Sequence, residues 1–155
     1  MTNDLTITFT VDQRPEEVFA AILDVAGWWG EIGGTADKLG AQWTYRVADM
    51  HYNRIRVAEL MVPNRVAWHI EESYLAFVED KEEWANTTLT FDVTEEGGRT
   101  RVRFAHVGLR RDFECFDVCS NAWSEYINGS LRDRITSGVG RPNSLEGDEA
   151  VEVVR

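Results

Sequence analysis

Along the first segment Leu5, Ile7, Phe9 and Val11 alternate with Thr6, Thr8 and Thr10, so a period of two puts four apolar side chains on one face. The pattern predicts a half-buried strand. Pro15 with Glu16 and Glu17 opens a helix, since a proline at an early helical position needs no N–H and acids favour the positive end of the dipole. Val18, Ile22, Val25 and Trp29 follow at helical spacing. Gly27, Gly30, Gly33 and Gly34 then break the pattern around Trp28 and Trp29, which predicts a turn or a second short helix leading into a loop over Thr35 to Gly40.

From Ala41 to Val107 the period is again two. Trp43, Tyr45 and Val47 form one alternating set; Ile55 and Val57 a second; Val66, Trp68 and Ile70 a third; Leu89, Phe91 and Val93 a fourth. Glu95-Glu96-Gly97-Gly98 supplies a hairpin turn into Val102, Phe104 and His106. Connections this short imply an antiparallel meander with one dry face. After Gly108 the period becomes nearly four: Phe116, Cys119, Trp123, Ile127, Leu131 and Ile135 share a stripe, which predicts one long amphipathic helix ending near Ser137-Gly138, with Gly129 inside it. The fold class is therefore α+β: a curved antiparallel sheet of about six strands wrapped around a long C-terminal helix, with short helices after the first strand. Residues 1–138 form this domain. Residues 139–155 read as an acidic, mobile tail, in which Ala150 to Val154 is an alternative docking strand.

Charge narrows the partners. With 16 Lys+Arg against 27 Asp+Glu the formal net charge is −11 over 155 residues, which argues against nucleic acid and against an anionic membrane surface. Met1 to Asp12 lacks the basic and continuous apolar regions of a secretory signal, and no apolar run approaches the roughly 18 residues of a membrane span. A cytoplasmic protein with reduced cysteines is the expectation. The 6 Trp, 7 Phe and 4 Tyr are a generous supply of flat, partly polar surface for one domain.

The strand entering a Pro-Glu-Glu-Val helix start over Thr8 to Val18, Val57-Ala58-Glu59 followed by Pro63-Asn64-Arg65-Val66-Ala67-Trp68, the final strand over Thr100 to Leu109, and Ala122-Trp123-Ser124 ahead of Leu131 carry a resemblance. In that order they resemble the helix-grip fold of the START/Bet v 1-like (SRPBCC) superfamily, and within it the branch related to the activator of Hsp90 ATPase. The similarity spans about residues 3 to 138. It implies a cavity between sheet and long helix, and it transfers no catalytic residue, because the superfamily shares none.

Strand and helix parity points Trp43, Tyr45, Trp68, Phe91, Phe104, His106, Trp123 and Ile127 into the interior. As pocket walls they stack on a flat or apolar ligand; as plain core they need none. His106 is the most informative polar residue among them. A neutral imidazole there serves as hydrogen-bond partner or acid/base near pH 7, with Tyr45 or Glu59 as partners, or else is a core histidine satisfied by its surroundings. Tyr74, Phe77 and Trp84, among acids between Glu72 and Trp84, predict a lid over the pocket mouth, a strand edge or a dimer contact. The acids Glu71, Glu72, Glu79, Asp80, Glu82 and Glu83 read as a solvated surface. Cys115 and Cys119, one turn apart, fall short of a metal site even with His106, so no metal or other cofactor is expected.

The leading expectation is a small-molecule-binding protein holding an apolar or aromatic ligand, without catalysis. A cyclase or dehydratase using His106 and an Hsp90-type chaperone-interaction module are the alternatives. A homodimer is a further expectation.

Overall fold

The computed structural model describes residues 5–30, 32–47, 51–75, 84–109 and 116–140. Phe77, Cys115, the acids between Glu79 and Glu83, and Ala150 to Val154 lie outside the described residues.

β1 (Leu5–Val11) alternates as expected, with Phe9 and Val11 buried and the threonines outward. α1 (Pro15–Leu23) begins at the proline and carries Glu16 and Glu17 in its first turn. It buries Val18, Phe19, Ala21 and Ile22, so its apolar face is adjacent positions as well as i, i+4 pairs. A 3₁₀ turn over Val25–Gly27 follows. Trp28 then folds back: its indole N–H donates to the Ile22 carbonyl at 3.0 Å.

β2 (Ile32–Gly34) stands in place of the expected turn or second short helix and raises the strand number to seven among the described residues. Two glycines give no side-chain alternation to read, yet their backbone pairs with β3 (Gln42–Val47) through Ile32↔Tyr45, Gly33↔Thr44 and Gly34↔Trp43. Gly34 has φ +88, and a Cβ there would stand 2.8 Å from the Gln42 carbonyl oxygen, so only glycine passes this corner without displacement.

β4 (His51–Met61), β5 (Arg65–Leu75), β6 (Thr88–Glu96) and β7 (Arg99–Val107) complete one antiparallel sheet in the order β1-β7-β6-β5-β4-β3-β2. The Gly97-Gly98 turn closes β6 onto β7 with Glu96 opposite Arg99 and both glycines at positive φ, as the hairpin motif predicts. β5 is longer than its sequence pattern. Glu72 to Leu75, where a lid, a strand edge or a dimer contact is expected, continue the strand beside β4.

The C-terminal helix runs from Phe116 to Ser137 and stops at Gly138, whose φ of +87 is the left-handed cap conformation. It is not α-helical throughout. Between α2 (Phe116–Ser124) and α3 (Arg132–Ser137), residues Glu125–Leu131 form a π-helical segment containing Gly129. The wider turn brings Tyr126 and Ser130 inward beside the expected Ile127 and Leu131. Ser130 Oγ donates to the Trp28 carbonyl at 2.7 Å, which ties this segment to the turn after α1. The core fills the space between the sheet's inner face and these helices.

Candidate functional site

His106 is fully buried at 0% exposure, and both ring nitrogens are committed. The Trp123 indole N–H donates to His106 Nδ1 at 3.0 Å, which makes that nitrogen an acceptor and fixes the neutral tautomer with the proton on Nε2. His106 Nε2–H then donates to Thr87 Oγ1 at 2.8 Å, and the Thr87 hydroxyl donates to the Trp84 carbonyl at 2.5 Å. The chain of donors runs one way from the helix, through β7, to the turn before β6. The Ile70 N–H anchors that turn by donating to the Thr87 carbonyl at 2.8 Å. Gly108, at φ +98, helps bring the pieces together, since a Cβ there would stand 3.0 Å from the Thr87 methyl.

Around the relay all six tryptophans join one set of ring contacts. Trp29 stacks on Tyr45 at 4.0 Å and reaches Trp43 at 6.3 Å and Trp123 at 5.0 Å. Trp43 meets Trp68 edge-on at 5.0 Å, Trp68 meets Phe91 at 5.3 Å, and Phe91 leads through Phe104 to Trp123. Trp28 stacks on Trp29, and Trp84 stacks on Trp123. The structure thus brings together Trp43, Tyr45, Trp68, Phe91, Phe104, His106 and Trp123, with Ile127 buried alongside. Burying one such ring removes roughly 150–250 Å² from water, about 4–6 kcal/mol at about 25 cal/mol/Å². Inward placement is therefore imposed by folding alone.

Polar atoms separate the walls further. The indole N–H groups of Trp28, Trp68 and Trp123 find acceptors, Trp68 through the Ala36 carbonyl at 3.2 Å. Trp43 Nε1 is buried and has no acceptor. One step along the sheet, register aligns Tyr45 with Asn53 and Asn53 with Ser73 across three strands, all buried. Ser73 is 6% exposed and its Oγ has no hydrogen-bond partner. Sequence reading missed both polar residues of this row. Asn53 continues the parity of Ile55 and Val57 and was there to be found. Ser73 was not, because a bulge at Glu71 shifts the parity: Ile55 pairs with Ile70, but Arg54 pairs with Glu72.

Other expectations need correcting. Trp84, expected in the lid, is 4% exposed and packs edge-on to His106 at 4.8 Å, which makes it a wall of the interior. Tyr74 is 42% exposed on β5. Glu59 is no partner for His106, because it lies on the outside and pairs with Arg65 at 3.3 Å. Asp92 holds the other side of that guanidinium at 2.7 Å, and this hydrogen bond is the main cause pushing the Arg65 pKa further up. On the same outer face Glu71 accepts from Gln42 Nε2 at 2.6 Å and from Arg56 Nε at 3.0 Å. Those two bonds, the Gln42 one foremost, hold its carboxyl below the usual carboxylate range. Cys119 is buried in the core, and no group of three metal-ligating side chains occurs among the described residues. Among the described residues, no helix is long and apolar enough to cross a membrane.

The family described as activator of Hsp90 ATPase homolog 1-like protein matches residues 12–135. The chain belongs to this family. No curated protein matches it. Among solved structures, the Aha1 dimer from Colwellia psychrerythraea is similar with TM-score 0.72 and 21% identity, over 90% of this chain and 100% of that one. PFC0360w, an HSP90 activator from Plasmodium falciparum, is similar with TM-score 0.61 and 14% identity, over 89% and 98%. DynU16, from the dynemicin biosynthetic locus, is similar with TM-score 0.70 and 15% identity, over 90% of this chain and 49% of that one. At these identities each likeness speaks for the helix-grip fold alone, which this family member shares with all three.

Proposed function

We propose that this chain is a small-molecule-binding protein that takes a flat, largely apolar ligand between the inner face of the sheet and the C-terminal helix. The observation that carries this reading is the buried Trp43 indole N–H, a donor left without an acceptor inside an otherwise aromatic wall. Such a group costs about 1–3 kcal/mol, and a ligand oxygen would satisfy it. The wall rings touch at centroid distances of 4.0 to 6.3 Å, so a guest enters by parting them. Tryptophan emission is then the direct report. Titration of the full chain with a panel of aromatic and lipid compounds should quench or shift it saturably; no response across the panel sinks the reading.

Binding without catalysis is favoured over a cyclase or dehydratase. His106 Nδ1 accepts from Trp123 and Nε2–H donates to Thr87, so the ring is held as a positioning group. Acting as acid or base requires breaking that relay. A cytoplasmic location accords with this reading.

Membership of an Hsp90-activator family supports a second reading, docking onto an Hsp90-type chaperone. Stimulation of a purified Hsp90 ATPase by this chain tests it; an unchanged rate at saturating protein ends it. The relative solved as a dimer supports a homodimer, which light scattering tests.

A further inference from the structure

We infer that the row Tyr45–Asn53–Ser73, with the neighbouring Trp43, forms a two-ended polar subsite that selects a flat ring system bearing an oxygen at each end. The inference rests on the ligand-binding reading and gives it a substrate class. Ser73 Oγ and Trp43 Nε1 are both buried, both without a partner, and both on the inner face of the sheet. Trp43 lies opposite Ile55, which pairs with Ile70, and Ser73 lies one inward step further along β5.

At about 3.3 Å rise per residue and about 4.8 Å between strands, the two positions stand roughly 12 Å apart across the sheet. Their side chains lean into the same interior, so the span suits two or three fused rings and not a single small ring or a long flexible chain. Tyr45 stands in the same row as Ser73, its ring stacked on Trp29 at 4.0 Å, so a flat guest would pack against this stack. The two ends differ in chemistry. An indole N–H only donates, so that end needs a carbonyl, ether or hydroxyl oxygen; a serine hydroxyl donates or accepts, so a phenolic hydroxyl fits there. Packing alone offers no reason for a serine here, since alanine would fill the place and leave no orphaned oxygen. The bulge at Glu71 that turns Ser73 inward gives the same indication, because bulges re-aim side chains.

The test uses 2,6-dihydroxynaphthalene and naphthalene as probes on the full chain, read by ¹H–¹⁵N NMR of the indole N–H signals. The wild type should bind the dihydroxy probe about 10-fold or more tightly than naphthalene, and the Trp43 indole proton should move downfield only with the dihydroxy probe. Ser73→Ala should cut that preference by about 3–10-fold, the worth of one hydrogen bond, with naphthalene affinity unchanged. Its unfolding midpoint should match or exceed the wild type, since no existing hydrogen bond is lost. Equal affinity of the two probes for the wild type, or an undiminished preference in Ser73→Ala, overturns the subsite while leaving ligand binding in place. Failure of both probes together with silence in the wider fluorescence panel overturns both.

Discussion

Two sets of buried polar atoms in the same interior are treated in opposite ways. Around His106, each donor in the Trp123–His106–Thr87–Trp84 relay meets an acceptor, and the relay links helix, sheet and turn. The Ser73 hydroxyl and the Trp43 indole N–H are buried just as deeply and have none. Both sets share the aromatic packing and the curved sheet. The difference teaches that burial of a polar side chain does not mark a binding site. A satisfied group holds the fold together, while an unsatisfied one costs about 1–3 kcal/mol and calls for another reason to be present.

Removing the hub of the satisfied set should have the largest effect. Trp123 touches Trp29, Trp84 and Phe104 and donates to His106, so Trp123→Ala should lower stability by about 3–5 kcal/mol in urea unfolding. His106→Ala leaves the Trp123 N–H without its acceptor and should cost about 2–4 kcal/mol. Thr87→Val, nearly isosteric, should cost about 1–3 kcal/mol by removing the acceptor of Nε2–H. A double-mutant cycle between His106 and Thr87 should give a coupling of about 0.5–3 kcal/mol. Strict additivity would break the comparison, for the relay would then be a set of contacts with no common purpose. Ser73 is predicted to behave the other way, with truncation neutral or stabilising and the loss appearing only in ligand preference.

These contrasts also mark what the sequence could show. Side-chain parity is a local property, so Trp43, Trp68, Phe104, His106 and Trp123 are legible as inward positions from the alternation of their own strands and helix. The order of elements carries the helix-grip fold in the same way. Three features escape because they depend on partners distant in the chain. β2 is held by backbone pairing of Ile32–Gly34 with β3, which leaves no periodic trace in two glycines. The π-helical segment answers the packing of Tyr126 and Ser130 against the interior and Trp28, beyond any 3.6-residue pattern. The bulge at Glu71 reverses parity within an unbroken strand, so Ser73 reads as outward until the register with β4 is seen. The tautomer of His106 likewise follows from Trp123, 17 residues away.

The smallest expected effect lies on the other face of that bulge. Glu71 is the extra residue in β5, and its carboxylate is gripped by Gln42 and Arg56, with Arg54 at 3.6 Å and Glu72 sharing Arg54 at 3.2 Å. These contacts pin the bulge from outside and so keep Ser73 turned inward. The Gln42 hydrogen bond first, then Arg56, favours the ionised carboxyl in the folded chain. A carboxyl with a depressed folded pKa contributes stability that is complete above the unfolded value and is lost as pH falls through the folded one. Lowering the pH from 7 to 3 should therefore cost the wild type more stability in urea unfolding than it costs Glu71→Gln. The gap should be modest and should shrink in high salt, because the cluster faces solvent. Glu71→Gln should also weaken the preference for the dihydroxy probe, by less than Ser73→Ala does. Equal pH sensitivity in the two proteins would detach the outer cluster from the bulge and leave Ser73 oriented by the β4 register alone.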